Sequence, residues 1–165
     1  MEMKLFRQIE QNKIKGEIFL HSMPGRNENL DEVIVELKNH DISKIICLVD
    51  KSEIQYKSKD YLEAVNNGQL SNIPIIYNPV PDFGIPTGEK ALLEYESALK
   101  QAYEQLKTEN ILIHCAGGIG RTGTFSIILL RMIGYSLEEA KRITSDTGSG
   151  SEGQEQKDFC RNYIV

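Results

Sequence analysis

The chain has 165 residues, a formal net charge of −5, 40% hydrophobic residues and 26% charged residues. That length fits one domain with one sizeable core, and the balance excludes a disordered or low-complexity protein. The acidic charge argues against non-specific binding to nucleic acid or anionic membrane, and no apolar run approaches the ~20 residues of a membrane span.

Met1 to Phe6 shows no apolar core followed by small residues, so no secretory signal is read there. Cys47, Cys115 and Cys160 are too few for a disulfide framework, and reduced thiols in a cytoplasmic compartment are expected. Ile14 to Leu20 reads as a strand entering the turn Met23-Pro24-Gly25. Leu30, Val33, Ile34 and Leu37 recur at helical spacing after Asn29, a good N-cap. Ile45 to Val49 is a β-rich apolar run, the pattern of a strand buried on both faces. Asp60 to Val65 predicts a short helix, and Ile73 to Tyr77 another strand. Pro79 to Pro86 holds three prolines and a glycine and predicts a shaped loop.

Thr87 to Lys107 carries Leu92, Leu93, Tyr95, Leu99, Ala102, Tyr103 and Leu106, which predicts a long amphipathic helix. Ile111 to His114 reads as a buried strand, and Thr122 to Ile133 as an apolar helix. Ser136 with Glu139 forms a capping box, and Ser151 with Gln154 suggests a similar start for the last helix. Strands alternating with helices predict an α/β fold over residues 1–165: a single three-layer domain with a mostly parallel sheet and helices on both faces. Ligand sites in such folds lie at the carboxyl ends of strands, where His114 stands.

The segment after that strand is Cys115-Ala116-Gly117-Gly118-Ile119-Gly120-Arg121-Thr122. A strand, a glycine-rich turn and a helix start form an anion cradle of converging backbone N–H groups. No Lys-Ser or Lys-Thr closes it, so it is not a Walker loop. Instead a cysteine opens the cradle and an arginine closes it, with five residues between. The field that binds phosphate also favours a thiolate held within it. Arginine's planar fork matches two phosphate oxygens, which lysine cannot do. Breaking a phosphate ester also needs a proton for the leaving oxygen, and Asp82 in its shaped loop is the natural donor.

This loop resembles the signature of the cysteine-dependent protein phosphatases (protein tyrosine and dual-specificity), with His114, Cys115, Gly118, Arg121 and Thr122 at the signature positions. Met23-Pro24-Gly25, Asp82 to Pro86 and Gly148-Ser149-Gly150 are similar to the kinase-associated (cyclin-dependent kinase inhibitor 3-like) branch, over about residues 14–163. The resemblance implies a protein tyrosine phosphatase-like fold and a phosphocysteine intermediate on Cys115. It implies phosphate binding by Ala116, Gly117, Gly118, Ile119, Gly120 and Arg121, and Asp82 as general acid and base. It also implies that His114 orients the loop and Thr122 stabilises the thiolate. A glutamine would position the hydrolytic water; Gln154 and Gln156 both lie in range, with Gln156 preferred. Neither metal nor cofactor is required. The expected partner is a phosphorylated protein, a phosphorylated kinase among the candidates, and the expected state is a monomer without membrane insertion.

Glu53 reads as a solvated loop charge, although an acidic residue pairs with the arginine in related enzymes. Cys47 reads as a core strand residue, with a subsidiary reading as a thiol that traps oxidised Cys115. His21 and His40 have no metal-ligand spacing. Two other readings stand. One is a phosphatase of lipid or small-molecule phosphates, disfavoured because the loop holds no lysine. The other is an inactive phosphopeptide-binding module, disfavoured because binding needs neither nucleophile nor acid.

Overall fold

The computed structural model describes residues 4–165, so Met1, Glu2 and Met3 of the N-terminal reading lie outside the described residues. The elements in chain order are β1 (Arg7–Gln8), β2 (Ile18–His21), α1 (Leu30–Asn39), β3 (Ile42–Cys47), α2 (Lys51–Lys57) and α3 (Lys59–Asn66). They continue with β4 (Ile75–Tyr77), α4 (Glu89–Leu106), β5 (Asn110–His114), α5 (Gly120–Ile133), α6 (Leu137–Ser145) and α7 (Gly153–Asn162). The five strands form one sheet in the order β1-β2-β5-β3-β4. All pairings are parallel except the antiparallel edge pair β1–β2. The expected mostly parallel α/β sheet is therefore present, with an antiparallel edge strand that lies outside the predicted elements.

Successive side chains of a strand point to opposite faces. Ile18 to His21 in β2, Ile45 to Cys47 in β3 and Ile111 to His114 in β5 are all buried, so both faces of the central sheet are covered. Helix α5 follows the central strand, and its residues from Gly120 to Leu130 are all buried. A helix buried all round needs apolar residues on every side, and the run Phe125 to Leu130 supplies them. Two of its hydroxyls are satisfied within the helix: Thr124 donates to Gly120 O (2.8 Å) and Ser126 to Thr122 O (2.7 Å). Gly123 faces the backbone of Gly150 with no space for a side chain, which seats the Gly148-Ser149-Gly150 turn against α5.

Several boundaries differ from the expectation. The strand expected over Ile14–Leu20 starts later and runs over Ile18–His21, so His21 ends it. Asn29 caps α1 by accepting the Asp31 N–H (2.9 Å), and Ser136 with Glu139 forms the capping box of α6. Ser151 does not cap α7. The N-cap is Glu152, whose backbone N–H donates to the Gln156 side chain at 2.6 Å. Helix α2 lies outside the predicted elements, although Asp50 caps it through the Glu53 N–H (2.7 Å), a capping residue and spacing visible in the sequence. On α4, Leu92 and Leu93 are exposed, whereas Tyr95, Leu99, Ala102 and Leu106 form its buried face. No helix among the described residues is long and apolar enough to cross a membrane.

Candidate active site

The carboxyl ends of β2, β5 and β3 converge, and backbone bonds tie their exits together. Met23 N–H donates to Ala116 O (2.9 Å), and Leu48 N–H donates to His114 O (3.0 Å). Val80 N–H in turn donates to Leu48 O (3.1 Å), which brings the segment after β4 beside the β5 exit. Chain-distant residues thereby meet at one cavity of about 230 Å³, lined by Arg26, Lys57, Asp82, Cys115, Arg121 and Glu152 among others. Its size is small beside pockets that engulf drug-sized ligands, and suits one group presented on a larger molecule.

Cys115 is 3% exposed at the mouth of the loop. The loop curls back so that the Gly118 N–H donates to Cys115 Sγ at 3.2 Å. Gly118 has φ +73°, and a Cβ there would lie 2.6 Å from His21 O, so both its conformation and its surroundings require glycine. Helix α5 starts at Gly120 with no side chain capping it, leaving its first N–H groups directed into the loop.

Arg121 is buried, with its side chain 2% exposed. Its Nη1 and Nη2 donate to Glu53 Oε1 (3.0 Å) and Oε2 (2.9 Å), a two-point clamp that orients the guanidinium plane. Nη1 also donates to Val80 O (3.1 Å), and Nη2 lies 3.3 Å from Asp82 Oδ1. The expectation that Glu53 is a solvated charge is corrected: α2 carries it inward to Arg121. The Arg121 bond holds the Glu53 carboxyl down at about 2, against partial burial and with help from Lys57 at 2.9 Å. Burial alone would lower Arg121, but the Glu53 bonds and the Cys115 charge leave its pKa raised.

Asp82 is 55% exposed on a turn in which Gly84 N–H donates to Pro81 O (2.9 Å). Phe83 occupies the left-handed region there (φ +59°), unusual for a bulky side chain, and is exposed at the cavity rim. Gln156 is fully buried, and its Nε2 donates to Gly84 O (3.1 Å), tying α7 to the Asp82 turn. Gln154 instead points outward and donates to Asp158 (2.8 Å). Of the two candidate glutamines, only Gln156 is brought to the site.

His114 is fully buried beneath the loop, Nδ1 lying 3.0 Å from Cys115 O and Nε2 2.9 Å from Tyr61 OH. A carbonyl oxygen only accepts, so the proton belongs on Nδ1 and Nε2 accepts from tyrosine. Burial pushes the imidazole down to about 4, so it stays neutral at physiological pH. In the unfolded chain it protonates near 6.5, so stability is full above that pH and is lost as pH falls towards 4. About 2 kcal/mol should disappear between pH 7 and pH 5 from this group alone. Denaturant titrations at the two pH values should show a correspondingly smaller difference in His114→Asn.

The Thr122 hydroxyl is buried without a hydrogen-bond partner. Cys47 is fully buried in β3, its Sγ contacts Val49 O at 3.5 Å, and burial pushes its thiol up to about 12. Cys160 is buried against Thr124 O at 3.8 Å. His21 pairs with Glu28 (2.6 Å) and His40 with Glu36 (3.1 Å), and no group of three or more potential metal ligands occurs among the described residues. Tyr61, Arg26, Lys57 and Glu152 were not expected at the site. Tyr61 alone carried a usable signal, since its burial on α3 follows from helical periodicity.

A family profile described as "Swiss Army Knife protein, DSP-PTPase phosphatase domain" matches residues 12–162. Human receptor-type tyrosine-protein phosphatase epsilon is 28% identical over 147 residues, covering 81% of this chain and 20% of that protein. The chain thus spans only a small part of that relative's length. The solved kinase-associated phosphatase with serine replacing its catalytic-site cysteine shares the fold at TM-score 0.78 and 20% identity, covering 94% of this chain and 90% of the other. The solved active form of Tk-PTP matches at TM-score 0.70 and 26% identity, covering 95% and 94% of the two chains. With the profile match extending over nearly the whole sequence, the chain belongs to the DSP-PTPase phosphatase-domain family.

Proposed function

We propose that this chain hydrolyses phosphate monoesters on proteins, phosphotyrosine first among them, through a phosphocysteine on Cys115. The observation that carries the reading is the meeting of Cys115, the Glu53-clamped Arg121 and Asp82 at one cavity. Phosphate enters the loop, where the N–H groups of residues 116–120 and the Arg121 fork receive its oxygens. The Cys115 thiolate attacks phosphorus and the P–O bond to the leaving group breaks. Asp82 gives that oxygen its proton. Water then attacks phosphocysteine and passes a proton to the Asp82 carboxylate. Phosphate leaves, and the thiolate is restored. Thr122, whose hydroxyl is otherwise unpartnered, supports the departing thiolate, and His114 holds the Cys115 carbonyl. Gln156 serves the second step from behind the Asp82 turn, in preference to Gln154.

No step calls for a metal or cofactor. A thiolate nucleophile needs a reducing environment, which supports a cytoplasmic setting, and a monomer with a phosphoprotein partner, such as a phosphorylated kinase, suffices for this chemistry. Rapid acid quenching of the protein with an aryl phosphate should give a phosphorylated peptide containing Cys115, seen by mass spectrometry. Turnover without any such adduct would overturn the mechanism.

A second reading draws support from the rim, where Arg26 and Lys57 line the cavity although the loop itself has no lysine. Those cations would meet a second anionic group, as on an inositol phosphate. Higher kcat/KM for inositol phosphates than for tyrosine-phosphorylated peptides would favour that reading over the first.

A further inference from the structure

Arg7 lies on β1, outside residues 12–162 that define the family match, and nothing in the reaction above uses it. Its guanidinium nevertheless reaches the phosphate loop. Nη2 donates to Gly118 O (2.8 Å), while Nη1 donates to Thr147 O (3.0 Å) and Ser149 Oγ (2.7 Å). Ser149 Oγ donates to the same Gly118 carbonyl at 2.6 Å. One carbonyl of the loop therefore receives two donors from outside the cavity, contributed by elements more than 100 and about 30 residues away in sequence.

That carbonyl belongs to the Gly118–Ile119 peptide, which is trans, as are all the described peptide bonds. In a trans peptide the C=O and N–H point in opposite directions. Holding the Gly118 oxygen outward turns the Ile119 N–H inward, toward the anion. Gly118 needs such a hold, because a glycine at φ +73° rotates its flanking peptides more freely than any other residue. The hold is also charged. Arg7 has no carboxylate within 4.0 Å among the described residues, and its three acceptors are neutral, so its charge is left to act on the loop. Burial lowers the Arg7 pKa, and the nearby Cys115 charge counters that.

We infer that Arg7, with Ser149, is a positioning residue for phosphate: it locks the Gly118–Ile119 peptide in the anion-binding orientation and adds a second positive charge behind the loop. The inference rests on the reading of this loop as a phosphate site. It also implies that the segment preceding residue 12 completes the site.

The test uses the full chain and does not require turnover. Alkylation of Cys115 by iodoacetamide is followed by mass spectrometry at increasing inorganic phosphate, and the protection curve yields the phosphate Kd. Arg7→Met should weaken Kd by about tenfold or more, as expected for losing a charge-assisted bond to a buried group. Arg7→Lys, which keeps the charge and loses the fork, should fall between. Ser149→Ala should weaken Kd by about threefold, the smaller loss of a neutral donor. A purely structural staple would lower the melting temperature and leave Kd in the folded protein unchanged. A parent-like Kd in folded Arg7→Met overturns the inference. Should that variant not fold, a parent-like Kd in Ser149→Ala does so. A parent protein that phosphate does not protect would overturn the functional reading, and this one with it.

Discussion

Cys115→Ser should lose turnover of an aryl phosphate by about 10⁴-fold or more, the scale seen when a covalent nucleophile is removed. The exchange changes little else. The side chains are nearly isosteric, Cys115 is buried in the loop, and the Gly118 N–H that donates to sulfur at 3.2 Å remains available to oxygen. Arg121 keeps its two bonds to Glu53. Phosphate should therefore bind within a few-fold of the parent, measured by calorimetry, while steady-state hydrolysis falls to background. A hydroxyl is a far poorer nucleophile at neutral pH than a thiolate, and no base stands beside it in the loop to compensate. Retained turnover would place the nucleophile elsewhere. Loss of turnover together with loss of phosphate binding would point to a collapsed loop instead.

The second large effect is expected at Asp82. Asp82→Ala should lower kcat by about 10² to 10⁴-fold for a substrate with a poor leaving group such as phosphoserine, and by less for nitrophenyl phosphate. The difference arises because an alkoxide needs its proton in the transition state, whereas nitrophenolate leaves unaided. A residue that merely shaped the loop would depress both substrates alike, so the ratio identifies the acid. Binding should move the other way. Asp82 Oδ1 lies 3.3 Å from Arg121 Nη2, where it competes with an incoming anion, and its removal should leave phosphate affinity equal or greater. Stability should change little, since the side chain is 55% exposed and its ion pair faces solvent. Equal losses on both leaving groups would remove Asp82 from the role of proton donor. The tight, slow complex expected of this variant also makes it the form with which to capture phosphoprotein partners.

The features legible in the sequence are those whose parts are close along the chain. Cys115 to Arg121 is a contiguous loop, so its spacing alone carried the anion cradle, and the β-rich runs Ile45 to Val49 and Ile111 to His114 located the strands around it. The caps at Asn29 and Ser136 are likewise local bonds. Where two local patterns competed, the sequence was ambiguous. Ser151 with Gln154 matched a capping pattern as well as Ser136 with Glu139, yet Gln156 satisfies the Glu152 N–H and the helix begins there.

What only the tertiary structure decided is which distant polar groups pair. Glu53 and Arg121 are 68 residues apart, and no periodicity distinguishes a carboxylate that turns inward from one that stays in water. Gln156 and Gln154 are chemically the same, and their fates separate because one side of α7 faces Gly84 while the other faces solvent. Arg7 lies on a two-residue strand too short for any pattern, and its contact with Gly118 spans 111 residues. Buried polar groups must find partners, and in a parallel sheet the crossovers bring those partners from far along the chain. The loop around Cys115, the proposed nucleophile, was therefore written locally, whereas the distant residues that bond to that loop were determined by folding.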